Sequence, residues 1–255
     1  VFYQQMNLVV PMDNVDLTIQ NNDAILKSFE LPLSSGHIIQ ANGIIENFNT
    51  LLLDSIPVDV NSKLDFYAEE LDFRDLSNMF DVMIPDTPSE DSTAAMTGGN
   101  SKKENVFKPT IRGIYEKFNP TLNVHIDDFW YKTFNVQNVQ TGLHFAKKDQ
   151  LILEETGFEL GDADVMLNAA IDLSDKNTTP FDVDFYTDFL EISELVKAFD
   201  FFGLPSLESA QGVSGQLATN GQLAGKVMDR TGKLDSTLRG DIGFSLAALQ
   251  LKSFE

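Results

Sequence analysis

A chain of 255 residues, 42% hydrophobic and 22% charged, is long enough for one large all-β domain or two of ordinary size, and is neither disordered nor fibrous. Its 39 acidic against 18 basic residues give a formal charge of −21, which keeps an apolar-rich chain soluble and excludes sequence-general nucleic-acid binding. With no cysteine, disulfides, thiolate nucleophiles and thiolate zinc sites are excluded, and twenty Phe form the bulky apolar supply.

The chain opens on VFYQQMNLVVPMDN, which lacks the basic start and apolar centre of a signal peptide. No later run approaches the roughly 18 to 20 apolar residues of a membrane span. The start falls mid-pattern without Met, so we expect a piece excised from a longer protein whose address signals lie elsewhere. From Asn14 to Phe48 the reading is strand, polar turn at Asn21-Asn22-Asp23, strand, small-residue turn at Ser34-Ser35-Gly36, strand. A long strand then passes through Asp65-Phe66-Tyr67. Phe73, Leu76 and Phe80 change to helical spacing, with Asp75 in the first turn, where the helix dipole favours negative charge, and Pro85 beyond the end. Residues 85–106 are polar and rich in Gly, Ser and Thr, and read as a flexible linker.

Alternation resumes with Leu122, Val124 and Ile126 on one face. Asn138 to Leu173 repeats the layout of Asn14 to Phe48, with Val165, Leu167, Ala169, Ile171 and Leu173 inward. Turn residues fall at Lys147-Lys148-Asp149 and Asp175-Lys176-Asn177. Phe181, Val183 and Phe185 follow inward, while Asp162, Asp164, Asn168, Asp172, Asp182 and Asp184 make a wet face. DFYTDFLEISELVKAFD at 184–200 then matches DFYAEELDFRDLSNMFD at 65–81 without a gap. The identities are Asp65/Asp184, Phe66/Phe185, Tyr67/Tyr186, Leu71/Leu190, Leu76/Leu195, Phe80/Phe199 and Asp81/Asp200. Ile192, Leu195, Val196 and Phe199 give this copy its helix, with Glu194 in the first turn and Pro205 after it. Beyond it, Gly212, Gly215, Gly221, Gly225, Gly232, Gly240 and Gly243 read as breaks between short strands joined by tight turns.

The predicted fold is therefore mainly β: extended antiparallel sheets from two tandem repeats, each with one short amphipathic helix. Residues 1–84 make repeat one, 107–205 repeat two and 206–255 a glycine-punctuated tail. A unit that recurs this closely extends one sheet rather than building two unrelated cores.

No constellation in the sequence carries catalysis or a metal. His37, His125 and His144 are far apart, and His125 alternates out of phase with Val124 and Ile126, on the surface side. Asp182, Asp184 and Asp188 lack the glycine and distal Glu of a calcium loop. GQLAGKV at 221–227 has three residues between its glycines where a phosphate loop needs four, and Val227 where it needs Ser or Thr.

The strand series, the helix at Glu194-Leu195-Val196-Lys197-Ala198-Phe199 and the tail at Leu238-Arg239-Gly240-Asp241-Ile242-Gly243-Phe244-Ser245-Leu246 resemble the C-terminal region of the AsmA-like family, in its Bacteroidetes-type envelope form. The resemblance covers nearly the whole chain and transfers no active-site residue. It implies a non-enzymatic periplasmic segment of a protein anchored in the inner membrane by a helix outside this segment, working in outer-membrane biogenesis and lipid transport along a β-groove. Phospholipid or another acyl lipid and envelope proteins are the implied partners, with no cofactor. An open sheet must cover its apolar face with a second layer, helices or a ligand. The expected lipid-lining residues are Phe66, Phe73, Phe80, Phe185, Phe189 and Phe199. The competing reading is a scaffold module of the envelope without a small ligand, and a glycan-acting enzyme comes third.

Overall fold

The computed structural model describes residues 14–49, 60–75, 119–131, 134–147, 149–175, 178–194, 213–228, 233–234 and 237–251. The predicted alternation yields strands throughout. β1 (Val15–Gln20), β2 (Asp23–Pro32), β3 (Ile38–Ile45) and β4 (Ser62–Asp72) form a first series, and β5 (Pro120–Tyr131) follows it. A second series comprises β6 (Phe134–Lys147), β7 (Gln150–Leu160), β8 (Ala163–Asp172) and β9 (Thr178–Glu191). β10 (Val213–Met228), β11 (Lys233–Leu234) and β12 (Arg239–Leu251) complete the set.

All twelve strands join one sheet in chain order, with β11 and β12 both pairing with β10. Each series is a run of four antiparallel strands whose last member carries the Asp-Phe-Tyr triplet. Among the described residues the single parallel ladder joins β4 to β5, from Ser62 opposite Pro120 to Asp72 opposite Trp130. A parallel step requires the chain to cross back along the sheet, unlike the tight hairpin at Asn21 and Asn22, where φ is 62° and 123°.

The core forms on one face, where alternating apolar residues of ladder neighbours meet. Leu33, Ile39, Ala68, Leu71 and Ile126 make one buried cluster across β3–β5. Val136, Leu160, Ala163, Val165, Leu190 and Leu217 make a second across β6–β10, and Phe145, Leu151 and Leu173 a third at the opposite strand ends. The predicted inward residues of β5, β8 and β9 all lie on this face and Asp164, Asn168, Asp172, Asp182 and Asp184 on the other, while Asp162 stands in the turn before β8.

Both predicted helices begin where the period changes, as helical turns at 73–75 and 192–194. Leu76, Phe80, Pro85, Leu195, Val196, Phe199, Pro205 and the 85–106 linker lie outside the described residues. Asp72 caps the first turn, its Oδ1 accepting the Arg74 amide at 2.8 Å. Asp75 is buried there and accepts the Ser34 hydroxyl at 2.5 Å.

The glycine-rich tail corrects the expectation of short strands and tight turns. β10 runs sixteen residues straight through Gly215, Gly221 and Gly225, and β12 thirteen through Gly240 and Gly243. A Cβ at Gly221 would stand 2.5 Å from the Asp241 carbonyl oxygen, and one at Gly240 2.0 Å from that of Gln222. These glycines admit a close neighbouring backbone rather than turn the chain.

Candidate functional site: an apolar track across the strands

Register converts the alternation of each strand into rows that cross the sheet. One row pairs Leu17, Leu26, Gly43, Leu64, Leu122 and Leu143 in succession from β1 to β6. It continues through Leu153, Ala169, Val183, Leu223 and Gly240, ending on β12. No polar side chain interrupts it. At roughly 4.8 Å per strand, its ten steps cover about 48 Å.

Burial marks this row out. None of its eleven members is buried; all are half-exposed or exposed. Two residues along the strands to one side, Ala24, Ser62, Pro120, Phe145 and Leu151 are buried. Further along to the other side, Ile39, Ala68, Ile126, Val165, Thr187 and Thr219 are buried. The row between contains Phe66, Val124, Leu167, Phe185 and Ile242, all half-buried, together with Ala41 and Thr156, which are buried. Its two threonines, Thr141 and Thr156, share a hydrogen bond of 2.6 Å, so their hydroxyls satisfy one another. The result is an apolar strip two rows wide, partly exposed, with buried residues beside it on β2 and β4–β7 to one side and on β3–β5 and β8–β10 to the other. It carries no charged side chain.

Two of the predicted lining residues belong to this strip. Phe66 pairs with Val124, and Phe185 with Leu167 and Gly221, in the same row and five strands apart. Phe73 stands off at the end of β4, its ring edge-on to Tyr131 with centroids 5.1 Å apart. Phe189 sits at a bulge with φ of 52° and is 57% exposed, outside the row. Phe80 and Phe199 lie outside the described residues. The leucines of the central row went unread in the sequence, because only cross-strand register shows that they are collinear.

The opposite face holds the charge. Tyr67 donates its hydroxyl to Asp127 at 2.6 Å and Tyr186 donates to Asp188, and these bonds to carboxylates hold both phenols above their ordinary value of 10.0. His125 lies on this face, 3.0 Å from Asp127; His37 is 3.5 Å from Glu70 and His144 3.8 Å from Glu154. Among the described residues no three His, Asp or Glu side chains converge as a metal site, and no helix is long and apolar enough to cross a membrane. No protein-family model matches the chain, and no curated protein matches it.

Proposed function

We propose that this chain is a non-enzymatic, periplasmic segment of an AsmA-like envelope protein, and that it carries phospholipid or another acyl lipid across its apolar face in outer-membrane biogenesis. The observation that carries the reading is the continuous, partly exposed apolar row that crosses the sheet from Leu17 to Gly240 without a polar side chain. An acyl chain laid in the strip gains about 0.8 kcal/mol for each methylene removed from water. One leaflet's chains reach about 15 Å, half of a hydrocarbon core of roughly 30 Å, so a strip of about 48 Å takes several in succession. That length suits a path better than a pocket for one ligand. With no charged group in the strip, headgroups stay outside it, and discrimination among headgroups is weak.

The test is organic extraction and mass spectrometry of protein purified without detergent, beside an acidic control protein handled identically. Lipid should leave with this protein and not with the control. Leu122→Asp together with Leu153→Asp, which place charges at the centre of the strip, should abolish it while circular dichroism still reports a sheet. A wild-type protein that is lipid-free, and stays so after incubation with vesicles, would overturn the reading.

A second reading, a scaffold that binds envelope proteins through its sheet edges, has one observation in its favour. The outer sides of β1 and β12 carry no ladder among the described residues, and free edges invite strand addition. It predicts lipid-free protein and crosslinks concentrated on those two strands.

A further inference from the structure

The polar face has a row of its own. Gln40, Tyr67, His125 and Gln140 pair in succession from β3 to β6, and Gly157, Met166, Tyr186 and Asn220 continue from β7 to β10. Three of the large apolar side chains that the protein exposes stand in it: Tyr67 at 40%, Met166 at 48% and Tyr186 at 48%. Met166 lies over Gly157, where a Cβ would meet its sulfur at 3.2 Å. The neighbouring row is made of amides and carboxylates: Asn42, Asp65 and Asn123 on one side, Asn168, Asp184, Gln222 and Asp241 on the other. Flat apolar surfaces thus run beside a parallel row of acceptors and donors.

Side chains in this line are held in place before any ligand arrives. Asp127 accepts from Tyr67 through one oxygen and faces His125 Nε2 through the other. The tyrosine and histidine rings lie 5.6 Å apart, tilted by 57°. Asn123 donates to Asp65 at 2.8 Å, which leaves that carboxylate with further lone pairs to offer. A shallow, open depression lies over Asp65, Tyr67, Asn123 and His125, and a nearly flat one over Asp184, Asn220, Gln222 and Asp241. Asp65 and Asp184 are equivalent positions of the sequence repeat, so each copy carries the same open polar surface beside its triplet strand.

We propose that this face binds a neutral oligosaccharide chain lying across the strands. The C–H face of a pyranose matches the exposed rings, and its hydroxyls match the carboxylates and amides beside them. The acidic lining disfavours phosphorylated or carboxylated sugars. An extended peptide would need unpaired backbone groups, and in this row every strand from β4 to β9 is paired on both sides. Tyr67 and Tyr186 are five strands apart, about 24 Å at roughly 4.8 Å per strand, so a hexasaccharide engages both platforms and a disaccharide only one.

Isothermal titration with cellohexaose and with cellobiose tests this. The hexamer should bind more tightly than the dimer, and Tyr67→Ala and Tyr186→Ala should each weaken it about tenfold. Both side chains are exposed, so the variants should melt like the parent. Absence of hexamer binding at millimolar concentration, equal affinity for the two sugars, or indifference to both substitutions would overturn the proposal. Binding of hexalysine in place of the sugar would overturn it in favour of electrostatic docking. The substitutions lie opposite the apolar strip and should leave lipid loading unchanged, so failure of either reading is distinguishable from failure of the other.

Discussion

Glu155 holds a left-handed backbone in the middle of β7, with φ of 49° and its amide donating to Asn168 Oδ1 at 2.8 Å. Such a conformation costs a residue with a Cβ about 1–2 kcal/mol, against roughly 0.5–1 kcal/mol of extra chain entropy that glycine loses on folding. Glu155→Gly should therefore raise stability by about 0.7 kcal/mol, the middle of a range of roughly 0–1.5 kcal/mol, in urea unfolding. A lowered midpoint would mean that the bulge relaxes in solution. Gly43 presents the converse. Its φ is 146°, and a Cβ there would stand 2.1 Å from the Lys63 carbonyl oxygen on the next strand. Gly43→Ala should cost more than about 2 kcal/mol, read in the same titration. Neither position was legible in the sequence. Gly43 falls in a stretch that reads as ordinary strand, and the atom that demands glycine belongs to a residue twenty positions away.

Asp72 ends β4 and starts a helical turn, pairing through its carboxylate with both the amide and the guanidinium of Arg74. Those bonds hold its carboxyl below the ordinary carboxylate range, the side-chain bond to Arg74 contributing most. Lowering means that the stabilisation is complete above the unfolded-state value of about 3.9 and is lost as pH falls through the lower folded-state value. Asp72→Ala should cost about 1 kcal/mol at neutral pH and progressively less in acid, measured by urea unfolding at several pH values. A penalty independent of pH would show that the carboxylate is not the cap. At this scale the sequence was informative wherever period decides structure. Strict alternation placed the inward faces of β5, β8 and β9, and the change to helical spacing placed both helical turns. It misled in the tail, because a turn glycine and a close-approach glycine look alike until the neighbouring strand is known. The parallel step between β4 and β5 also left no local trace, since strand direction is set by the path of a long connection.

Across the whole sheet, central strands have ladders on both sides while β1 and β12 have one each among the described residues. Amide hydrogen exchange should accordingly be slowest in β5–β8 and fastest in the two outer strands; uniform protection would imply that those edges are covered in solution. The repeat made Phe66 and Phe185 legible as equivalent residues, and the structure sets them in one row. Their leucine neighbours were not legible, because a row depends on register, and each bulge shifts register by an amount that composition does not record. The parallel β4–β5 step has a further effect on symmetry. An all-antiparallel sheet with five strands per repeat would reverse each successive unit, relating neighbours by a two-fold axis. One parallel step restores the direction, so β4 and β9 point the same way and both helical turns leave the same margin. The two four-strand series, β1–β4 and β6–β9, therefore run in the same sense along the sheet. Such an array is polar: its two ends are chemically different, and a molecule moving along the central row meets Leu17, Leu26, Gly43 and Leu64 on one series and Leu143, Leu153, Ala169 and Val183 on the corresponding strands of the next.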